Sequence, residues 1–414
     1  MIRIGIVGCG RILAAHLRGY RLLREAGVDD FRITALCSLY EDEARMYVQR
    51  DEGPPQRPAV SDIPGDPLAI GDEYLSDFQD DVDVAVYTDY REMIANAPID
   101  AVNDFTTHAL HHQVADAALG AGKDLMTQKP LAVTVAAARR MCEKAAEAGR
   151  VLGVFENARY KPPTRHVKWL FDSGRIGKFQ MMMLGNVGTW WAPNRIVAHT
   201  PWRHSKVEAG GIALDLGVHQ FDVVRCMGGE VKDVTARTAV VEPRRITLDA
   251  DGAETERMDC DADDTFYASF ETEAGATGTL FASWAGHGEA TVYGQGVVFY
   301  GSGGRVTGDT VTFDGGETAS AADLYADGAD AARKEADFPL GLDDAFALTQ
   351  LDWLNAVRIR GEPETSAREG LHDLACAYAI VESATAGRCI AVDDVLSGAV
   401  REYQKPIDEH FGIE

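Results

Sequence analysis

The chain opens Ile2-Arg3-Ile4-Gly5-Ile6-Val7, a short run dominated by β-branched apolar residues. It passes through Gly8-Cys9-Gly10 into helical spacing over residues 12–26. A buried strand that turns on glycines straight into a helix is the first half of a βαβ unit, and such units build parallel sheets. The rhythm continues with strands at 31–37, 84–87, 101–105, 124–126 and 151–155, and helices at 43–50, 90–95, 110–121 and 133–148. Alternation of this kind predicts a doubly wound α/β domain over residues 1–155. Residues 53–83, rich in Pro, Gly and Asp, break the rhythm and read as a surface insertion.

Beyond residue 155 the period changes. Segments 179–187, 231–241, 265–273, 276–283, 291–300 and 306–313 alternate as strands between Gly-rich turns, and helical spacing appears at 164–172, 218–227 and 345–359. This predicts a second, α+β domain over 156–414, built on a large, mostly antiparallel open sheet.

Composition limits the partners. The formal net charge of -25 over 414 residues repels nucleic acid and anionic membrane surfaces. Seven Cys without a CxxC pair fit a reduced, cytoplasmic chain rather than a disulfide scaffold or a zinc site. No apolar run reaches membrane-spanning length, and the first residues read as a strand rather than a signal peptide.

In the turn Gly8-Cys9-Gly10-Arg11-Ile12-Leu13 the two glycines let backbone amides at a helix start approach a pyrophosphate, so the turn reads as a dinucleotide site. The third small residue of that pattern is replaced by Leu13, which requires looser packing or compensation by Ala14. The second strand ends Cys37-Ser38-Leu39-Tyr40, without the carboxylate that takes the ribose of NAD. Ser38 tolerates a 2'-phosphate, but no Arg follows it, and Glu41, Asp42 and Glu43 repel one. The reading is therefore NAD, with NADP not forbidden.

Further segments extend this pattern: Asp100-Ala101-Val102 leading to Thr106 and His111, Gly122-Lys123 ahead of Gln128-Lys129-Pro130, and Gly210-Gly211 followed by Asp215, Gly217, His219 and Asp222. Together with Glu382-Ser383, Gly387-Arg388 and Tyr403-Gln404, they make the chain resemble the glucose–fructose oxidoreductase/inositol dehydrogenase (Gfo/Idh/MocA) family over nearly its whole length. The resemblance implies an N-terminal Rossmann domain followed by an α/β domain whose open sheet mediates homodimers or homotetramers. It implies Lys129, Asp215 and His219 as the catalytic trio. For the cofactor it implies Gly8, Cys9, Gly10, Arg11, Ile12, Ser38, Thr106, Thr107, His108, His111, Gln128, Lys129 and Asn157. Two positions depart from the family pattern: Gln128 stands for the usual Glu, and Thr107 for a Pro. The first removes a negative neighbour of Lys129, which tunes the amine rather than abolishing it.

The residue chemistry agrees with these roles. Oxidising a secondary alcohol needs a group that takes the hydroxyl proton, and an imidazole such as that of His219 suits the task near neutrality. Asp215, four residues earlier, shares its face if the segment is helical and can orient it. Lys129 can hydrogen-bond the reacting oxygen. His108, His111 and His112 lack accompanying Cys or carboxylate ligands at useful spacing, so no metal is expected.

Arg159-Tyr160-Lys161 and Trp202-Arg203-His204-Ser205-Lys206 interleave aromatics with cations beside the catalytic segments. In so acidic a chain they suggest a sugar-like substrate bearing an anion, with Trp on the ring face and Arg on the charge. Three functions fit: an NAD(P)-dependent dehydrogenase of a sugar, sugar acid or cyclitol; an NAD-dependent glycoside hydrolase working by oxidation, elimination and reduction; and a non-enzymatic NAD-binding sensor. Retention of the trio speaks against the last.

Overall fold

The computed structural model describes residues 1–61, 65–188, 193–249, 251–288 and 291–413. It divides into two compact units. Unit 1 comprises Met1–Ala132, Ala137–Tyr160 and Glu335–Gly370; unit 2 comprises Val133–Ala136, Lys161–Lys334 and Leu371–Glu414. The chain therefore crosses between them several times, where a single crossing at 155/156 was expected.

In unit 1 the strands β1 (Ile2–Val7), β2 (Phe31–Cys37), β3 (Ala85–Tyr87), β4 (Ala101–Asp104), β5 (Asp124–Gln128) and β6 (Leu152–Phe155) alternate with helices. These are α1 (Leu13–Glu25), α2 (Glu41–Arg45), α3 (Tyr90–Asn96), α4 (His108–Gly120) and α5 (Val135–Ala148). All strand pairs are parallel, in the order β3-β2-β1-β4-β5-β6. This is the doubly wound dinucleotide-binding arrangement, with its crevice at the carboxyl ends of β1 and β4, where the strand order reverses.

α1 buries Leu13, Leu17, Tyr20 and Leu23, and its Gly19 lies so close to the helix Ala345–Ile359 that a Cβ there would sit 3.1 Å from the Ala347 amide nitrogen. That helix, expected in the second domain, thus belongs to unit 1. Its spacing announced a helix but not the surface it would cover.

The segment expected as a surface insertion is docked. Gln79 bonds both the N–H and the C=O of Ile33, at 3.0 and 2.7 Å, and Arg21 pairs with Glu73. Arg57 donates to the Cys9 carbonyl at 2.9 Å.

In unit 2, α6 (Pro162–Asp172), β7 (Phe179–Val187), α7 (Ile212–Asp215) and α8 (Gly217–Gly228) come first. Strands follow: β8 (Val231–Ala239), β9 (Arg244–Leu248), β10 (Glu254–Asp259), β11 (Thr265–Thr272), β12 (Thr277–Ser283) and β13 (Thr291–Gly301). The last are β14 (Gly304–Thr307), β15 (Thr310–Phe313), β16 (Thr318–Ser320) and β17 (Ile390–Ala391). Nine strands form one sheet in the order β16-β15-β14-β13-β7-β12-β11-β8-β17. Among the described residues of this sheet only β7 and β12 pair in parallel.

β9 and β10 form a separate ribbon, and the single strand expected over 306–313 is a hairpin folded at Gly308-Asp309, since Thr307 pairs with Thr310. Along β11, Phe266, Ala268 and Phe270 are buried while Tyr267, Ser269 and Glu271 face out, the alternation of a sheet with one packed face. No helix among the described residues is long and apolar enough to cross a membrane.

Candidate cofactor cradle and active-site segments

Unit 1 builds the cradle from its glycine turn. Gly8 has φ +96°, and a Cβ on it would lie 2.6 Å from the Phe105 carbonyl carbon, so only glycine lets the end of β1 pass this close to the end of β4. Around Gly10 no heavy atom lies within 4 Å of a Cβ position. The first residue before α1, Ile12, supplies no side-chain cap. A glycine turn open on its outer side at the start of a helix is what a pyrophosphate needs, so these residues fit a dinucleotide. Leu13 is fully buried and Ala14 nearly so, which shows how the helix absorbs the missing third small residue.

The loop after β4 is fixed by Asp104, whose Oδ1 accepts from the Thr106 amide at 3.0 Å and from its hydroxyl at 2.6 Å. Thr107 is exposed and caps nothing with its side chain; His108 is buried in the first turn of α4. His111 is fully buried, with Nδ1 2.9 Å from the Pro130 carbonyl and Nε2 3.2 Å from that of Thr106. It joins the Thr106 loop to the Pro130 carbonyl, one residue past the cis Lys129–Pro130 bond.

Lys129 is half-buried, and its N–H donates to Gln128 Oε1 at 2.8 Å. Gln128 Nε2 lies 3.0 Å from His16 Nε2. Burial holds His16 well below the usual imidazole value, so its ring is neutral. An amide can accept from Lys129 and donate to His16 together, whereas the Glu usual at this position could only accept.

Asn157 is half-buried, and its carbonyl accepts from the Tyr160 N–H at 3.2 Å. Arg159 and Tyr160, expected at the substrate, are turned inward. Arg159 is 6% exposed and pairs with Glu369 at 3.0 Å, and the Tyr160 hydroxyl donates to Asp352 at 2.8 Å. A buried guanidinium needs a carboxylate, and the fold supplies it.

Unit 2 carries Asp215 at the end of α7 and His219 in the first turn of α8, both half-buried. Leu216 between them has φ -101°, but its N–H still bonds the Ile212 carbonyl and its own carbonyl accepts from Gln220, so the helical path continues across the break. The preceding pair Gly210-Gly211 is a point of close approach. Gly211 has φ +115°, with its Cβ position 2.4 Å from Asp263 Oδ1; that of Gly210 is 2.3 Å from the Trp202 carbonyl. Asp263 in turn accepts from the Ala213 N–H at 2.9 Å, and burial pushes its carboxyl up to about 7.

Arg203 donates from Nε to Asp215 at 3.1 Å and from Nη1 to Thr200, and stacks on Trp202 at 4.3 Å. His204, expected at the substrate, is 1% exposed and accepts from the Val197 N–H at 3.1 Å; burial, aided by Arg245 and Arg203, lowers it to about 3. Lys206 bonds Asp261 through its backbone and covers the Tyr403 ring at 4.2 Å. Lys161 is exposed ahead of α6.

The scaffold that sequence reasoning missed is the acidic stretch 259–264. Asp261 and Asp263 grip the segments just described, and Asp264 forms a fully buried pair with Arg245 at 3.1 Å. The signal was there, as four Asp within six residues, but a charge run reads as a solvated loop until its backbone donors are known. Among the described residues no group of three His, Cys, Asp or Glu side chains could hold a metal ion.

Two family models match the chain: the oxidoreductase family NAD-binding Rossmann fold over residues 2–156, and the GFO/IDH/MocA C-terminal domain over residues 164–307. Myo-inositol 2-dehydrogenase of Thermotoga maritima is 27% identical over 313 residues, covering 75% of this chain and 76% of its own. D-apiose dehydrogenase of Paraburkholderia graminis is 26% identical, covering 96% of this chain and 94% of its own. Among solved structures, levoglucosan dehydrogenase in complex with NADH and L-sorbose matches with a TM-score of 0.72 at 21% identity, over 95% of this chain and 99% of that one, which bears on the fold. With both domain models matched in order, and the glycine cradle at the switch point of the first, the chain belongs to the Gfo/Idh/MocA family of NAD-binding oxidoreductases.

Proposed function

We propose that this chain is a cytoplasmic NAD-dependent dehydrogenase that oxidises a secondary hydroxyl of a sugar, sugar acid or cyclitol. The observation that carries this reading is the Asp215–His219 helix, gripped by Arg203 and Asp263, in a chain similar over nearly its full length to a sugar dehydrogenase. Bound NAD supplies the acceptor for the hydride that leaves the carbinol carbon. His219 takes the hydroxyl proton, Asp215 orients the imidazole, and Lys129 hydrogen-bonds the reacting oxygen.

The inositol, apiose and levoglucosan dehydrogenases among the relatives and solved structures are named for polyhydroxylated substrates, and one face of the Trp202 ring is taken by Arg203. Of the cations singled out for an anionic group, Arg203 and Arg159 are engaged by Asp215 and Glu369. A neutral polyol therefore fits better than an anionic one, with Lys161 and Lys206 left to serve a carboxylate. The outer face of the nine-stranded sheet is the surface through which we propose that the chain forms homodimers or homotetramers.

The test is a panel of neutral and anionic sugars, cyclitols and their glycosides, followed for NADH formation and for aglycone release. Net NADH from a free sugar or cyclitol supports the reading. Aglycone release without net NADH would make the chain a redox-assisted glycoside hydrolase, and sugar binding without either would make it a sensor.

A further inference from the structure

The tip of β2 lacks the carboxylate that selects a ribose, yet the structure returns one to it. The Ser38 hydroxyl donates to Glu43 Oε2 at 2.6 Å. Of the three acids in this run, Glu41 and Asp42 are exposed, Glu41 bonding Arg45; only Glu43 is half-buried and turned back toward the strand end. Its other oxygen accepts from Arg57 Nη1 at 3.2 Å. Arg57 Nη2 then reaches the Cys9 carbonyl in the glycine turn at 2.9 Å, while Tyr47 bonds the Gly10 carbonyl at 3.1 Å. Arg11 Nη1 donates back to the Pro58 carbonyl at 2.6 Å.

Ser38, Glu43, Arg57 and Cys9 thus form one hydrogen-bonded strap. It runs from the end of β2 to the glycine turn, the two points between which an adenosine ribose and its pyrophosphate lie in this fold. Among the described residues the buried Nε of Arg57 has no partner.

We propose that Glu43 is the ribose-selecting carboxylate of this chain, displaced by six residues from the end of β2 and locked in place by Arg57 from the insertion. A carboxylate here accepts from the ribose hydroxyls of NAD and repels the dianionic 2'-phosphate of NADP. The same Arg57, freed of Glu43, becomes a phosphate ligand. This rests on the NAD-binding fold and not on the identity of the substrate.

Calorimetric titration of the full chain with NADH, NADPH and 2'-deoxy-NADH tests the assignment. Wild type should bind NADH at least tenfold more tightly than either analogue. Glu43→Gln should lose about tenfold for NADH and gain about tenfold for NADPH, and Glu43→Gln with Arg57→Ala should lose the NADPH gain. Adding Ser38→Asp to Glu43→Gln should restore the preference for NADH. A change of less than twofold in the NADH/NADPH ratio of Glu43→Gln overturns the proposal. So does a wild type that binds NADPH as well as NADH, or that ignores loss of the 2'-hydroxyl; these two measurements need no variant to fold.

Discussion

Arg203 and Asp215 form an ion pair of 3.1 Å between side chains that are 20% and 13% exposed. The pair joins the segment at residues 202–206 to the last residue of α7, so the cation serves the candidate catalytic carboxylate. Losing one member of a largely buried pair leaves the other uncompensated.

Arg203→Ala should therefore lower kcat at least tenfold on neutral and acidic sugars alike. Arg203→Lys should recover part of the loss, because an ammonium keeps the charge without the fork. Steady-state kinetics on a sugar and its corresponding acid checks this. Loss confined to the acid would instead return Arg203 to binding a substrate anion.

Much of the framework was legible because its residues announce themselves locally. Strands at 2–7, 31–37 and 179–187 have the expected bounds, since a continuous or alternating apolar run has one way to bury itself. What stayed hidden is long-range. The helix Ala345–Ile359 was evident, but that it would meet Gly19 of α1 depends on a chain return that no local pattern encodes. The ribbon of β9 and β10 is mostly polar and outward-facing, so it lacks the alternation that marks a strand. Arg203 was singled out for its neighbours in sequence, whereas its partner lies twelve residues away, and the role of Arg57 appears only once the insertion is docked on the glycine turn.

Asp263 gives a stability signature with a defined sign. Its carboxyl is fully buried and raised by that burial to about 7 from an ordinary 3.8, with Asp264 adding a like charge and the Ala213 N–H opposing. Between these values the folded state holds a proton that the unfolded chain has released, so this group's contribution to stability falls as pH rises from about 4 to about 7 and is level above. The Tyr403 hydroxyl, the other titratable group that Asp263 influences, is pushed up well beyond this window. Glu230, held low by His372 and Arg225, acts with the opposite sign and at lower pH. Asp263→Asn keeps an acceptor for Ala213 without the ionisation. The stability of wild type minus that of Asp263→Asn, from urea melts, should drop across pH 4–7 on the order of 1.4 kcal/mol per unit or less; a difference independent of pH would contradict the assignment.

The outer face of the nine-stranded sheet carries a row that crosses four strands. Arg237, Tyr267, Phe281 and Gly185 are register partners on β8, β11, β12 and β7. Tyr267 is 56% exposed and stacks on Phe281 at 5.7 Å, while Phe281 fills the space over Gly185. This aromatic row is where the proposed dimer or tetramer contact is tested. Light scattering should find a dimer or tetramer, and Tyr267→Arg, which sets a second cation beside Arg237, should shift it toward monomer with little change in the secondary-structure signal. Unchanged mass in the variant would move the interface elsewhere.

The last prediction separates chemistry from scaffolding. The Lys129 N–H is held by the Gln128 side chain and the Pro130 carbonyl by His111, and His219 lies in the first turn of α8, which follows the α7 turn that Asp263 holds. Lys129→Ala and His219→Ala should each cost roughly a hundredfold in turnover, the scale of losing a general acid–base group. Thermal midpoints should stay near wild type in both, and His219→Ala should keep its affinity for NADH. His111→Ala provides the contrast: it removes a fully buried ring joining the Thr106 loop to Pro130, so it should lower the thermal midpoint as well as turnover. Near-normal kcat in Lys129→Ala or His219→Ala on the true substrate would take that residue out of the proton-transfer machinery.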